Sequence, residues 1–452
     1  MLINSSGFSK LKESINNSIT EKIFLGHKPS PELIAILAVY LVQGALGLSR
    51  LSVSFFLKDE LQLSPVEVSA ILGIVTLPWM IKPLFGFVSD TFPIFGYRRR
   101  PYLVLSGILG AASWMALATL VDNSWKATII VTLSSLAIAV SDVIVDSLVV
   151  ERARLESQAK AGSLQSLCWG ATALGTFLTA YFSGLVLEYF TTKTVFLITA
   201  LFPFLISVVA WFIAETSVDQ EDSQQDRNKS VSIRNQTNQL LQAFRTRAVL
   251  LPTLFIFIWQ CTPSGESAYF YFFTNELHFQ PEFLGRIHLF TSLASLVGIW
   301  IFQRFLKNVP FQTIFTWGIL VSVLLRMTML ILITHTNRAL GINDRWFSLG
   351  DSLIIAAMGQ IAFMPTMILA ARICPLGIEA TLFAVLMSVF NLGGLVSRES
   401  GALIMYWLGI TESNFDSLWL LLVITNLIAL LPMLFVKLLP SKEEMEYGVV
   451  VK

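Results

Sequence analysis

Two carboxylates four residues apart, Asp142 and Asp146, stand inside the apolar stretch AVSDVIVDSLVVERAR (Ala139–Arg154). The spacing puts both on one helical face. Carboxylates so placed can pair with a basic side chain, hold a proton, or accept the N–H donors of a solute. An ionisable group at the centre of a membrane span costs roughly 2.5–3.5 kcal/mol on insertion scales. Other apolar blocks carry Arg50, Lys82, Arg286, Arg326, Arg398, Glu266 and Glu399. Each needs a partner or a wet cavity. Lys82 lies at a depth comparable with Asp146, so a Lys82–Asp146 ion pair is expected. Asp142, nearer the middle of its segment, is then left for solute or proton.

The elements that must position these groups are helices in a bilayer. Of 452 residues, 54% are hydrophobic and only 13% charged, with a net charge of +1. That is about half the charged share of an ordinary soluble domain. Apolar runs of about 20 residues match a hydrocarbon core of roughly 30 Å. Such runs lie near 33–57, 66–87, 102–121, 127–150, 164–188 and 194–214, then near 248–273, 283–303, 311–335, 347–372, 377–403 and 416–438. Between the two sets, residues 216–247 are rich in Gln, Ser and Asn and read as a flexible linker. The fold class expected is an all-α membrane protein with twelve spans in two six-helix bundles, 33–215 and 248–438. A segment 1–32 and a tail 439–452 flank them.

Basic residues concentrate on alternate connections: Arg98, Arg99 and Arg100; Arg152, Arg154 and Lys160; the linker; Arg304 and Lys307; Arg372. The opposite connections hold only Lys58, Lys126, Lys193, Arg338 and Arg345. By the positive-inside rule both termini are cytoplasmic. Lys10, Lys12, Lys22 and Lys28 are scattered over residues 1–30 without an apolar core, which reads against a cleaved signal peptide. Cys168, Cys261 and Cys374 have no metal-like spacing and read as packing residues.

The halves repeat. DELQLSP (Asp59–Pro65) aligns with NELHFQP (Asn275–Pro281), so that Glu60, Leu61 and Pro65 match Glu276, Leu277 and Pro281. Ala153-Arg154 match Ala371-Arg372 at nearly the same offset. A parallel six-plus-six repeat is the architecture of the major facilitator fold, with its solute site between the halves near the midplane. There, segments 1, 4, 7 and 10 line the cavity, and their midplane polar residues are Gln43, Asp142, Gln260 and Gln360. Trp169 could stack on a flat ring or simply pack. Arg398 could meet an anionic solute group. Arg326 reads first as a member of a structural ion pair. The repeat also aligns Arg50 with Glu266, which are expected either to meet across the pseudo-two-fold axis as an outer gate or to pair within their own halves.

A second motif lies between segments 2 and 3: GFVSDTFPIFGYRRR (Gly86–Arg100) places Asp90 before Gly96 and the basic run Arg98-Arg99-Arg100. It has the glycine–aspartate–glycine–basic order of the facilitator loop, with a longer Asp90–Gly96 gap. Asp90 and the arginines are expected to gate across the seam between halves; the alternative is a plain positive-inside anchor.

With KPLFGFVSDTFPIFGYRRRPYLVLSG (Lys82–Gly107), SDVIVDSLVVERAR (Ser141–Arg154) and TPSGESAYFYFFTNELHFQPEFLGRI (Thr262–Ile287), the chain resembles the folate–biopterin transporter family of the major facilitator superfamily. The resemblance implies a secondary carrier of pteridines — folate, antifolate or biopterin — in a bacterial or cyanobacterial inner membrane, with a plastid envelope as the alternative. Asp142 suggests coupling to a proton, and the carrier is expected to act as a monomer within the lipid bilayer. A facilitator for a peptidoglycan fragment, sugar or drug fits the composition equally well. A membrane enzyme does not: the four histidines (His27, His278, His288, His335) form no His-Glu-x-x-His, and there is no Gly-x-Ser-x-Gly. No cofactor, metal or nucleic-acid partner is expected. A sensor would need a soluble output domain larger than this linker.

Overall fold

The computed structural model describes Phe24 and residues 27–154, 158–215, 245–306, 309–372 and 379–440. Expectations resting on Lys10, Lys12, Lys22, Lys307, Cys374, residues 216–244 and the tail from 441, and on the side chains of Arg154, Lys160 and Arg372, lie outside the described residues. Ten helical runs are long and apolar enough to cross a membrane: α1 (Pro31–Glu60), α2 (Pro65–Thr91), α3 (Arg100–Thr119), α4 (Ser124–Val149), α5 (Leu167–Tyr189), α6 (Thr192–Phe212), α8 (Pro281–Leu306), α9 (Phe311–Ile333), α10 (Asp344–Thr366) and α12 (Leu418–Leu438). Two more complete the series. α7 is broken, with Arg247–Gln260 followed by Glu266–Tyr271 and Phe272–Glu276. α11 (Glu379–Trp407) carries Arg398 and Glu399.

The repeat read from Asp59–Pro65 and Asn275–Pro281 has a structural cause. α1 and α7 both end in a wide helical turn, Phe56–Glu60 and Phe272–Glu276. Each is followed by a residue forced to positive φ, Gln62 at 52° and His278 at 54°. The next helices open on Pro65 and Pro281 at a first position where the missing N–H costs nothing. Ser64 and Glu67 add a capping box on α2. α1 and α7 are also interrupted in mid-span at matching places, Leu46-Gly47 and Cys261–Gly265. Interrupted spans free backbone polar groups where only a cavity or a protein neighbour can satisfy them.

Packing within the first half runs α1 along α5 and α3 along α6; within the second, α8 lies along α10. Large apolar side chains fill the first half, with Phe56 and Trp114 both on Phe196 at 5.3 and 5.7 Å. The halves meet through two pairs, α5 with α8 and α2 with α11. Near the end that carries Lys58, these seams are tight. Gly184 of α5 lies so close to α8 that a Cβ there would stand 2.2 Å from the Pro281 carbonyl oxygen. Lys58 Nζ donates to Asn275 Oδ1 at 2.8 Å, Tyr271 Oη donates to the Leu63 carbonyl, and the Phe55 and Phe270 rings meet edge-on at 5.2 Å. All these contacts join the halves, so this end is shut. No comparable side-chain bridge joins α4 to α10 among the described residues.

Candidate functional site

Asp142 and Asp146 do share one face of α4, and their partners come from α1 and α2. Lys82 Nζ donates to Asp142 Oδ2, and Tyr40 Oη donates to Asp146 Oδ1. The expected Lys82–Asp146 pair is therefore corrected to Lys82–Asp142. The physical reason is the shape of α2. It breaks at Val75-Thr76 and again at Ile81, whose φ and ψ of −101° and 16° are not helical. A straight-helix depth estimate fails across those breaks, and Lys82, first residue of the last piece, comes level with Asp142. Tyr40 of α1 takes up Asp146.

A second layer holds this pair in place. The Lys82 ammonium lies 4.3 Å from the Trp79 ring centroid, a cation–π contact. Trp79 Nε1 donates to Ser135 Oγ at 3.1 Å, and Ser135 Oγ donates to the Val75 carbonyl freed by the first break, at 2.6 Å. Asn391 of α11 donates to the Trp79 carbonyl at 3.2 Å, tying the second half to the same turn. Lys82 and Asp142 are mostly covered, at 17% and 16% side-chain exposure, whereas Asp146 is exposed although Tyr40, which is buried, holds it from the bundle interior. Exposure together with a partner on another span is what a residue facing an open vestibule would show. One lysine stands beside two carboxylates, and among the described residues it is bonded to Asp142 while no cation is bonded to Asp146.

The other expected lining residues are less drawn together. Gln43 Nε2 is buried without a hydrogen-bond partner among the described residues, one turn from Tyr40 on α1. Gln260, at the break in α7, packs its Cβ and Cγ against Gly393 of α11. Gln360 is half-buried on α10, and Trp169 is 65% exposed on α5, beside the buried Cys168. Arg398 is half-buried, and its carbonyl accepts from Ser69 Oγ of α2 at 3.1 Å. Arg326 has no acidic partner among the described residues. It lines a small crevice with Ser322, Leu325, Ile355, Met358 and Gly359, so the structural ion pair expected for it is not formed. Arg50 and Glu266 likewise make no ion pair among the described residues; both lie within electrostatic reach of His288 of α8.

The basic loop closes on its own half. Arg99, buried, binds Asp90 Oδ1 at 2.8 Å and, at 2.7 Å, Oε1 of Glu151, which lies where the α4 helix runs on past Val149 to Arg154; its Nη1 donates to Ser89 Oγ at 2.9 Å. The expected reach of Asp90 across the seam is thus corrected: its partner comes from the same loop. The long Asp90–Gly96 gap is absorbed by a tight turn with Phe95 and Gly96 at positive φ, closed by the Ile94–Tyr97 bridge. Glu215, unremarked in the sequence, accepts from the backbone N–H groups of Arg98, Arg99 and Arg100 at 2.6, 2.8 and 2.9 Å. A carboxylate there caps the α3 N-terminus and offsets its positive end. Arg100 Nη2 also donates to the Ile213 carbonyl at 2.6 Å.

Comparison with known proteins agrees with this architecture. The model of the BT1 family matches residues 43–448. A "Folate-biopterin transporter" of Synechocystis is 56% identical over 423 residues, 94% of this chain and 84% of the relative. "Folate transporter 2" of Plasmodium falciparum is 33% identical, covering 91% of this chain and 89% of its own. Among solved structures, a D-xylose-proton symporter superposes with a TM-score of 0.67 at 14% identity, over 91% of this chain and 98% of the other. A nucleoside transporter superposes with 0.66 at 12% identity, over 90% and 99%. At those identities the likeness concerns the fold, which is the major facilitator fold of two six-helix bundles.

Proposed function

This chain belongs to the BT1 family, and from that premise we propose that it carries folates or pteridines across a membrane by alternating access. The observation that carries the reading is the array Lys82–Asp142 and Tyr40–Asp146, an intramembrane charge cluster opening away from the shut end. It is supported by relatives named as folate and folate-biopterin transporters. A pterin ring presents an amino group and a ring N–H side by side. Asp146, held only by a neutral hydroxyl, has two oxygens to accept from such an edge. The Lys82 ammonium and the Trp79 ring bound the same vestibule, and Trp169, Gln43, Gln260 and Gln360 are its outer lining. Arg398 is the cation for a folate carboxylate.

The two rocking bodies are residues 33–215 and 248–438, joined by 216–247. With the basic connections on the cytoplasmic side, both termini are cytoplasmic and the shut end faces outward, so the conformation is open inward. Asp90, Arg99 and Glu151 brace the inner end. Arg50, Glu266 and His288 belong to the outer gate. Coupling to a proton rests on Asp142 and Asp146 sharing one lysine, which leaves a carboxylate able to exchange a proton with the vestibule. The protein acts as a monomer in the inner membrane of a bacterial or cyanobacterial cell. A facilitator for another solute shares the same fold, and the two are separated by proteoliposome uptake of labelled folic acid. Expected is saturable uptake that unlabelled folic acid and biopterin suppress and that xylose, a nucleoside or a muropeptide leaves unchanged. Suppression by one of those and not by biopterin would reassign the solute.

A further inference from the structure

Glu399 is a carboxylate that the cavity does not use. It lies on α11 toward the shut end, against α2. Its Oε1 is buried with no hydrogen-bond partner, and Glu399 makes no ion pair among the described residues. A Cβ built on Gly73 of α2 would stand 2.1 Å from that oxygen, so the carboxyl lies flat on glycine backbone, with the Leu395 side chain beside it. On its other flank α11 meets α7. There Ser264 N donates to the Ser397 carbonyl at 3.0 Å, Ser397 Oγ donates to the Thr262 carbonyl at 2.6 Å, and a Cβ on Gly401 would stand 1.9 Å from the Ser264 carbonyl oxygen. Ser69 Oγ, one turn from Gly73, is spent on the Arg398 carbonyl. The seam between halves is thus closed against one oxygen of a half-buried carboxyl, and that oxygen receives no donor among the described residues.

The titratable groups on the elements packed there are otherwise placed. On α2, Glu67 caps Ser64 and Lys82 holds Asp142. On α7, Glu266 is exposed and Tyr269 lies near Arg326, while the Cys261 thiol points to the Ile258 carbonyl at 3.3 Å. On α10, Asp351 accepts from Thr328, and on α12 Lys437 sits at the far end. Arg398 precedes Glu399 by one residue, about 100° around the helix, and forms no ion pair with it.

Burying a carboxylate oxygen in a closing seam without a donor or a cation is costly, and Glu399 Oε1 is so placed while the residue as a whole is half-buried. We propose that Glu399 is a proton-binding site that links closure of this end to protonation. As α2 and α11 come together, a hydronium ion of the solution bathing that end gives its proton to a Glu399 oxygen, forming one O–H bond and leaving water. When the seam parts, the proton returns to water. Acidity at that end therefore favours the conformation described here. The inference rests on the alternating-access reading but not on the identity of the solute.

The test needs no solute. With Cys168, Cys261 and Cys374 replaced by Ser, spin labels go on cysteines at Tyr189 of α5 and Trp407 of α11, both exposed and at the shut end of opposite halves. Their distance is measured in proteoliposomes from pH 5 to 9. Expected in the parent is a short distance at low pH giving way to a longer one as pH rises. Glu399→Gln, a permanent mimic of the neutral acid, is expected to hold the short distance throughout. Glu399→Asp keeps a titrating group and is expected to keep a transition with a displaced midpoint, which carries the test should the Gln variant fail to insert. A Glu399→Gln protein that follows pH as the parent does, or a parent that does not respond to pH, would overturn the proposal. Loss of folate uptake with this transition intact would instead count against the solute assignment alone.

Discussion

Lys82→Met is expected to reduce uptake by at least about 100-fold and to lower the amount of protein in the membrane. Lys82 is the only cation bonded to Asp142 among the described residues, and both side chains are mostly covered. Removing one partner of a buried pair leaves an uncompensated charge, at a cost of about 3–5 kcal/mol, and each 1.4 kcal/mol is about tenfold in an equilibrium. The double variant Lys82→Met with Asp142→Asn removes the charge from both sides, so membrane levels should return. Uptake should not, because the Lys82 ammonium and Asp142 carboxylate that bound the vestibule beside Asp146 are gone. Quantitative immunoblotting beside initial uptake rates separates the two effects. Full recovery of uptake in the double variant would make the pair a structural brace and nothing more.

Gly184→Ala is expected to lower uptake more than about tenfold while leaving solute binding in place. The new methyl group would meet the Pro281 carbonyl at 2.2 Å and the Gly285 Cα at 2.8 Å. Both are backbone, so no side chain can swing aside, and the first and second halves must part at the shut end. An overpacked contact of this kind costs about 1–3 kcal/mol, charged against one conformation only. That bias displaces the equilibrium between states, which is what alternating access needs balanced. Labels at Tyr189 and Trp407 should report a longer distance. Gly350→Ala, where a Cβ meets nothing within 4 Å, should transport within about twofold of the parent. Equal uptake by the two variants would show that the α5–α8 contact is not part of the working cycle.

Much of the fold was legible because its signals are local. Span length follows from apolar run length, and the Glu60/Leu61/Pro65 match to Glu276/Leu277/Pro281 marks turns whose backbone demands are the same. The expense of intramembrane charge pointed to a carboxylate partner for Lys82 on the fourth span, but to Asp146 where the structure has Asp142. What could not be read was which atoms meet. Partner choice between Asp142 and Asp146 depends on two interruptions of α2, which Pro78 and Pro83 mark in sequence, but how far they shift Lys82 along the span is a tertiary fact. Tyr40 carried a weak signal, since a phenol in an apolar span needs somewhere to place its hydroxyl. Glu215 carried none, because a carboxylate capping a helix 115 residues earlier is a tertiary fact. Arg50 and Glu266 align in the repeat, yet sequence symmetry does not supply the last few ångströms, and no ion pair joins them among the described residues.

The proposition that the fourth span's carboxylates look into a solute-binding aqueous vestibule is tested most directly at Asp146, the exposed member of the pair. In a background lacking Cys168, Cys261 and Cys374, Asp146→Cys is treated with a membrane-impermeant thiol reagent applied separately to each face of oriented membranes. The expected result is modification from the face that carries Arg98–Arg100, slowed by folic acid or biopterin and not by xylose. A thiol that resists the reagent from both faces, or one modified at a rate neither pteridine alters, would contradict it.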